Sequence, residues 1–377
     1  MKRSLVSLML CGALLAVAGC GGKPPKEERE KLENVVDFVL EIPEGRDAVV
    51  LQLTDIQIID SDQQRYPGRL PNLVEEWKPE NMEKLAFSHM REIVERVKPD
   101  LIVLSGDNVY GEFDDNGTSL AALIKEMESY QTAWTLTFGN HDNETRKGVL
   151  WTCEQYEKAE HCLFKRGPVE SVHGNGNFNI GISQGGKLTE VVWLMDSNGH
   201  TDSDSDQNMY STQGLFPDQI EWFIEQNEKL RKFNGGVSPK SIGFFHHPLR
   251  AFGNGLQKYG YTSGRHDFYG EDSSADFNKI AVPENSAGDC GYMNKDAGSY
   301  IDQEYEFHEL LKKYGCEGWF FGHDHENNAS VTYDGVRYTY GLKASEYDSY
   351  ISSVLGGTRI TVGENGLKVM HEYLGKK

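Results

Sequence analysis

The feature that most constrains this chain is a recurrence of short apolar runs, each ending in a cluster of carboxylate, amide and imidazole side chains. Ala48–Thr54 (AVVLQLT) leads into Asp55-Ile56-Gln57, and Asp100–Ser105 (DLIVLS) into Gly106-Asp107-Asn108-Val109-Tyr110. Thr132–Phe138 (TAWTLTF) leads into Gly139-Asn140-His141-Asp142, Ser241–Phe245 into His246-His247-Pro248, and Gly318–Phe321 into Gly322-His323-Asp324-His325. Runs of this length and composition read as buried strands. Helical patterns lie between them. Pro79–Val97 carries Met82, Leu85, Met90, Ile93, Val94 and Val97 at three-four spacing, with His89 on the same stripe as a core or boundary residue. Ser119–Tyr130, Pro217–Leu230 and Ile301–Lys313 also read as helices, and Phe178–Ser183 and Leu188–Met195 as strands. Strand–helix alternation that ends in β-rich sequence predicts an α/β sandwich with mixed sheets. Polar groups delivered to the C-terminal ends of neighbouring strands converge on one cleft.

The chain has 377 residues, 38% hydrophobic and 11% aromatic, enough to bury a large core. Its formal charge of −20 excludes a general basic surface for nucleic acid. It also opposes a phosphate-bearing ligand, unless bound cations set the local field; surface charge is screened within ~8 Å at physiological salt. At the N-terminus, Lys2 and Arg3 precede an apolar run from Leu5 to Ala18. This order reads as an export leader. Val17-Ala18-Gly19-Cys20 resembles a bacterial lipobox, so residues 1–19 are expected to be a lipoprotein signal peptide and Cys20 a lipidation site. The expected location is the bacterial cell envelope, periplasmic or outer surface, with a lipid anchor in the membrane. Residues 20–36 read as a flexible tether and 37–377 as a single domain. An even number of further cysteines in an exported chain suggests the disulfides Cys153–Cys162 and Cys290–Cys316.

Imidazole and carboxylate together suit iron, manganese and zinc. The five clusters, in this order, resemble the calcineurin-like metallophosphoesterase superfamily across about residues 48 to 345. The resemblance implies a four-layer αββα sandwich with two mixed β-sheets around two metal ions. It implies that Asp107 bridges both ions, that Asp55 and His325 bind the first, and that Asn140, His246 and His323 bind the second. His141 would protonate the leaving oxygen, with Asp142 either orienting it or capping its own loop. A hydroxide shared by the two metals would attack a phosphate ester. A phosphodiesterase or pyrophosphohydrolase on the same metals is the rival enzyme reading, and a catalytically silent binding lipoprotein is the rival of another class.

One position departs from the superfamily pattern. Gln57 stands where most members carry a histidine, so the first metal loses an imidazole donor. Tyr110, in Gly106-Asp107-x-x-Tyr110, matches the tyrosine of purple acid phosphatases, which binds iron(III) in an Fe(III)–M(II) pair. Tyr110 is either such a ligand or a ring packed beside the site. Gln57, His247, Arg146 and Arg250 are candidate substrate contacts. His173 is a loop histidine expected to face solvent. Asp202, Asp204 and Asp206 alternate as at the start of an EF-hand, but Gln207 and Gln213 replace the required glycine and glutamate, so a solvated acidic loop is expected.

Overall fold

Alternate residues of the central strands serve two different cores, and this periodicity builds the architecture. On Lys187–Leu194 (β6), Val192 and Leu194 join one buried cluster while Val191 and Trp193 join the other. On Cys316–Phe321 (β10), Phe320 joins the first, and Trp319 and Phe321 the second. A strand with both faces buried needs helices or a second sheet on each side. The computed structural model describes residues 31–59, 81, 83–111, 114–200, 210, 212–261, 280–294, 304–346 and 348–375.

The remaining strands are Phe38–Glu41 (β1), Ala48–Leu53 (β2), Leu101–Ser105 (β3), Ala133–Thr137 (β4), Phe178–Gln184 (β5), Ser241–Phe244 (β7), Ile280–Ala281 (β8), Tyr292–Met293 (β9), Ser330–Tyr333 (β11), Val336–Tyr340 (β12), Gly356–Val362 (β13) and Lys368–Tyr373 (β14). Among the described residues the α-helices are Ser88–Val97 (α1), Thr118–Ser129 (α2), Gly148–Lys158 (α3), Pro217–Phe233 (α4), Arg250–Leu256 (α5) and Glu304–Lys313 (α6). A seven-stranded sheet runs β1-β5-β6-β7-β10-β12-β11 and a five-stranded sheet β14-β13-β2-β3-β4; β8 and β9 form a separate pair. Both large sheets mix parallel and antiparallel neighbours. Their facing sides share one core, which also takes in α1 and α2 residues such as Met90, Ile93, Leu123 and Met127. The outer side of the seven-stranded sheet buries Phe223 of α4, Phe252 of α5 and Phe307 of α6. The four-layer α/β sandwich with two mixed sheets is therefore the fold.

Local chemistry sets the helix ends. Asp114 accepts from the Ser119 and Leu120 amides at 2.9 and 3.0 Å, capping the first turn of α2. Pro217 opens α4, where its missing N–H costs nothing, and the Phe216 amide donates to Gln219 Oε1 at 2.9 Å. The expected helix from residue 79 is α-helical from Ser88, with a π-helical turn over Glu83–Phe87 before it. The expected strands at 48, 100, 132, 178, 188, 241 and 318 are all present within one or two residues.

Two expectations change. Leu32–Lys377 forms one unit, and Leu32, Val35 and Val36 are buried in the second core, so the fold begins inside the segment read as a tether. Among the described residues the expected disulfides do not form: Cys153, Cys162, Cys290 and Cys316 are thiols. The Cys316 thiol donates instead to Gly318 O, and the Cys290 backbone bridges to Ser330. The leader, Cys20 and Asp202–Gln207 lie outside the described residues. Among the described residues, no helix is long and apolar enough to cross a membrane.

Candidate metal centre

Every cluster side chain stands just beyond the C-terminal end of a strand: Asp55 after β2, Asp107 after β3, Asn140 after β4, His246 after β7, and His323 and His325 after β10. Backbone bonds lace these loops together. The Asp55 amide donates to Gly106 O at 3.1 Å, Gln57 to Asp107 O at 2.9 Å, and Gly322 to His246 O at 2.9 Å. Asp55, Gln57, Asp107 and His323 sit at φ of 52°, 50°, 51° and 81°. Left-handed backbone costs a non-glycine residue about 1–3 kcal/mol, and it persists where surrounding bonds over-determine it. Gly106 also has positive φ, and a Cβ there would enter the His246 ring. A Cβ on Gly322 would collide with Thr54 Oγ1 and Asp55 Oδ2.

The ligand atoms converge. Asp55, Asp107 and His246, all buried, offer atoms within 4.8 Å of one another, as do His246, His247 and His323. His246 Nε2 lies 3.3 Å from Asp107 Oδ2 and 4.0 Å from Asp55 Oδ1. His325 Nε2 lies 3.3 Å from Asp55 Oδ1, and His323 Nδ1 lies 3.1 Å from Asn140 Oδ1. The far nitrogens fix the rings: His246 Nδ1 donates to Ser105 O at 3.0 Å and His325 Nδ1 to Ser349 O at 2.7 Å. His246 Nε2 is then a buried atom without a hydrogen-bond partner, aimed at two carboxylates. Burial pulls the His246 pKa down, but Asp107 and then Asp55 override it and lift it to about 10. Burial would raise the Asp55 and Asp107 carboxyls; His325 holds Asp55 near 2, and His246 and His141 hold Asp107 well below its usual range. Concentrated negative charge, an orphaned imidazole nitrogen and mixed O/N donors fit transition-metal ions.

His141 stands at the rim. Its amide donates to Asp107 Oδ1 at 2.9 Å and its Nδ1 to Glu144 Oε1 at 2.9 Å. Burial lowers its pKa; Asp107 and Glu144 more than offset this and raise it to about 9. Asp142 does not orient it. That carboxylate accepts from the amides of Asn108 (2.8 Å), Val109 (3.1 Å) and Gly139 (2.6 Å) and from Asn108 Nδ2 (3.3 Å). It therefore staples two motif loops together, the capping alternative. Burial and Asp107 raise its pKa to about 6 against those donors. The Tyr110 ring stacks on His141, with centroids 4.1 Å apart.

The other sequence candidates divide. Gln57 is buried and turns its Nε2 toward Asp107 Oδ2 at 3.5 Å, while its Oε1 accepts from Lys343 Nζ at 2.6 Å. His247 is buried, with Nδ1 3.0 Å from Ser197 Oγ; burial and its neighbours His323 and His246 push its pKa well down, so the ring is neutral. Arg146 is exposed and lies 3.6 Å from Asp115. Arg250 opens α5 and is exposed. His173 stacks on Phe216, centroids 4.0 Å apart, and pairs with Asp218, so it is held rather than free in solvent. Sequence reasoning missed Glu144, three residues beyond His141 in the same turn, and Lys343, a buried lysine in Gly341-Leu342-Lys343-Ala344-Ser345.

The calcineurin-like phosphoesterase family matches residues 48–327, and the chain belongs to it. It is 25% identical over 272 residues to probable inactive purple acid phosphatase 29 of Arabidopsis thaliana, covering 67% of this chain and 65% of that one. It is 25% identical over 181 residues to phosphatase DCR2 of Saccharomyces cerevisiae, covering 44% and 29%. The chain thus spans less than two thirds of the length of these relatives. Among solved structures, a dimetal phosphatase from Danio rerio matches at 11% identity and a TM-score of 0.47, covering 87% of this chain and 99% of that one. Purple acid phosphatase PPD1 from yellow lupin matches at 11% identity and a TM-score of 0.44, covering 88% and 52%.

Proposed function

We propose that this chain hydrolyses phosphate esters at a dinuclear metal centre held by Asp55, Asp107, Asn140, His246, His323 and His325. The observation that carries this reading is the buried convergence of Asp55, Asp107 and His246, with His246 Nε2 3.3 Å from Asp107 Oδ2 and 4.0 Å from Asp55 Oδ1. Metal ions bound there supply activated water and neutralise phosphoryl charge. The chain's own residues do the rest. Asp107 joins Asp55 and His246 in one buried cluster, and Glu144 fixes the His141 ring by accepting the hydrogen bond from its Nδ1–H. His141 then holds a proton at Nε2 for the departing alcohol oxygen. Tyr110, packed on that ring, is within the site as an iron(III) ligand or as a wall, and colour in the iron-loaded protein separates the two.

Gln57 favours one alternative, a silent binding protein, because its amide replaces an imidazole; relatives named as inactive phosphatases lean the same way. Metal analysis with chromogenic mono- and diesters run in parallel tests both. Two bound ions with turnover that falls at least a hundredfold in His141→Ala, metal retained, supports the enzyme. Fewer than two ions and no turnover on either ester supports the silent reading. Export on a lipid at Cys20 rests on the sequence alone, and mass analysis of the mature N-terminus tests it.

A further inference from the structure

Lys343 is 1% exposed and has no carboxylate within ion-pair distance among the described residues. Lysine is almost never buried this way without a purpose. Its Nζ donates to Gln57 Oε1 at 2.6 Å and to Asp55 O at 2.7 Å. Its neighbours repeat the grip: the Ala344 amide donates to Thr54 O at 3.0 Å and Ser345 Oγ to Ile56 O at 2.6 Å. Three successive residues after β12 thus take the carbonyls of three successive residues after β2, joining the ends of the two sheets. Two consequences follow for Gln57. Its amide oxygen is committed to the ammonium and so faces away from ligand duty, and its NH2 is turned to Asp107 Oδ2.

We propose that Lys343 makes the two metal positions unequal: by locking Gln57 Oε1 and placing a fixed positive charge beside Asp55, it weakens ion binding at Asp55 and His325 relative to Asn140, His246 and His323. The inference rests on the dinuclear reading above. Its physical basis is repulsion between like charges in a buried, weakly screened site, added to the loss of one donor. The ammonium contributes part of the positive charge that a tightly held first ion would otherwise bring. A merely structural lysine behaves oppositely, because removing it would slacken the loop and loosen metal at both positions.

The test is calorimetric titration of metal-stripped full-length protein with Zn²⁺, with bound metal counted by elemental analysis and fold followed by circular dichroism. Wild type is expected to bind one ion tightly and a second at least tenfold more weakly. Lys343→Met is expected to tighten the weaker position tenfold or more and to leave the tight one within threefold. Gln57→Met, which keeps Lys343, is expected to leave the weaker position within threefold of wild type. Two equal sites in wild type overturn the inference while leaving the dinuclear centre standing. So does a folded Lys343→Met with unchanged or weaker binding, or a tenfold loss in Gln57→Met. No bound zinc at all overturns the centre and the inference together. If Lys343→Met does not fold, the wild-type titration and Gln57→Met still decide.

Discussion

His141 Nδ1 donates to Glu144 Oε1 across 2.9 Å, and the carboxylate that receives it is buried. In the proposed mechanism this bond sets which imidazole nitrogen would face a departing group, so Glu144 would act through His141 and not through the metal ligands. Glu144→Ala is expected to lower ester turnover by about 10–100-fold, a part of the ~10²–10⁴-fold that a positioned general acid contributes. Metal content should stay at the wild-type value, and Glu144→Gln should recover part of the rate. Loss of metal in the alanine variant would reassign Glu144 to holding the centre.

Asp142 gives the contrasting case. It accepts three backbone amides and one side-chain amide from the two loops that carry Asp107 and Asn140. Asp142→Asn turns one acceptor into a donor and leaves a buried N–H unmatched, at a cost of about 1–3 kcal/mol. Metal content and turnover should therefore fall together and thermal stability should drop. Turnover lost with metal and stability intact would return Asp142 to a direct role in the chemistry.

Much of this was legible in the sequence because buried strands are short and apolar and each of these ends in a polar cluster, behind a glycine in β3, β4 and β10. The runs at β2, β3, β4, β7 and β10 announced both the sheets and the places where Asp55, Asp107, Asn140, His246 and His323 leave them. What escaped depends on partners far away in the chain. β1 is four residues whose meaning comes from pairing with β5, about 140 positions later. Lys343 looks like a solvated residue until Gln57 and Asp55 O are placed against it. Glu144 lay in the shadow of Asp142, a nearer carboxylate whose oxygens the local turn had already claimed. The cysteine count misled because strand register, which parity does not encode, sets Cys316 opposite Ser241 of β7 and Cys290 beside Ser330.

Asp289 offers a pH test remote from the metals. It is buried and accepts from Lys258 Nζ (2.6 Å), Tyr259 Oη (2.8 Å) and the Thr332 amide (2.8 Å), pinning its loop to β11. Burial would raise its pKa; Lys258 and Tyr259 lead the donors that hold it near 2. A carboxyl depressed on folding stabilises the protein above its unfolded value near 4 and loses that contribution as pH falls toward 2. Asp289→Asn is expected to cost about 1–2 kcal/mol at pH 7, discounted because Lys258 is half exposed. Urea unfolding at pH 7, 5 and 3 should show the gap steady from 7 to 5 and narrower at 3. A gap that widens on acidification would refute the assignment.

Glu190, on β6, reverses the sign. It is 1% exposed, and neither carboxylate oxygen has a hydrogen-bond partner. Burial first, and then the nearby Glu317, push its pKa well above the usual range, so the folded chain keeps a proton that the unfolded chain gives up. Its penalty is absent in acid and grows as pH rises above the unfolded value near 4.5 toward the folded one. Glu190→Gln removes the titration and keeps the shape. The variant is expected to match wild type at pH 4 and to exceed it by about 1–3 kcal/mol at pH 8. Chemical denaturation at both pH values checks this, and an identical difference at each would show that Glu190 does not titrate between them.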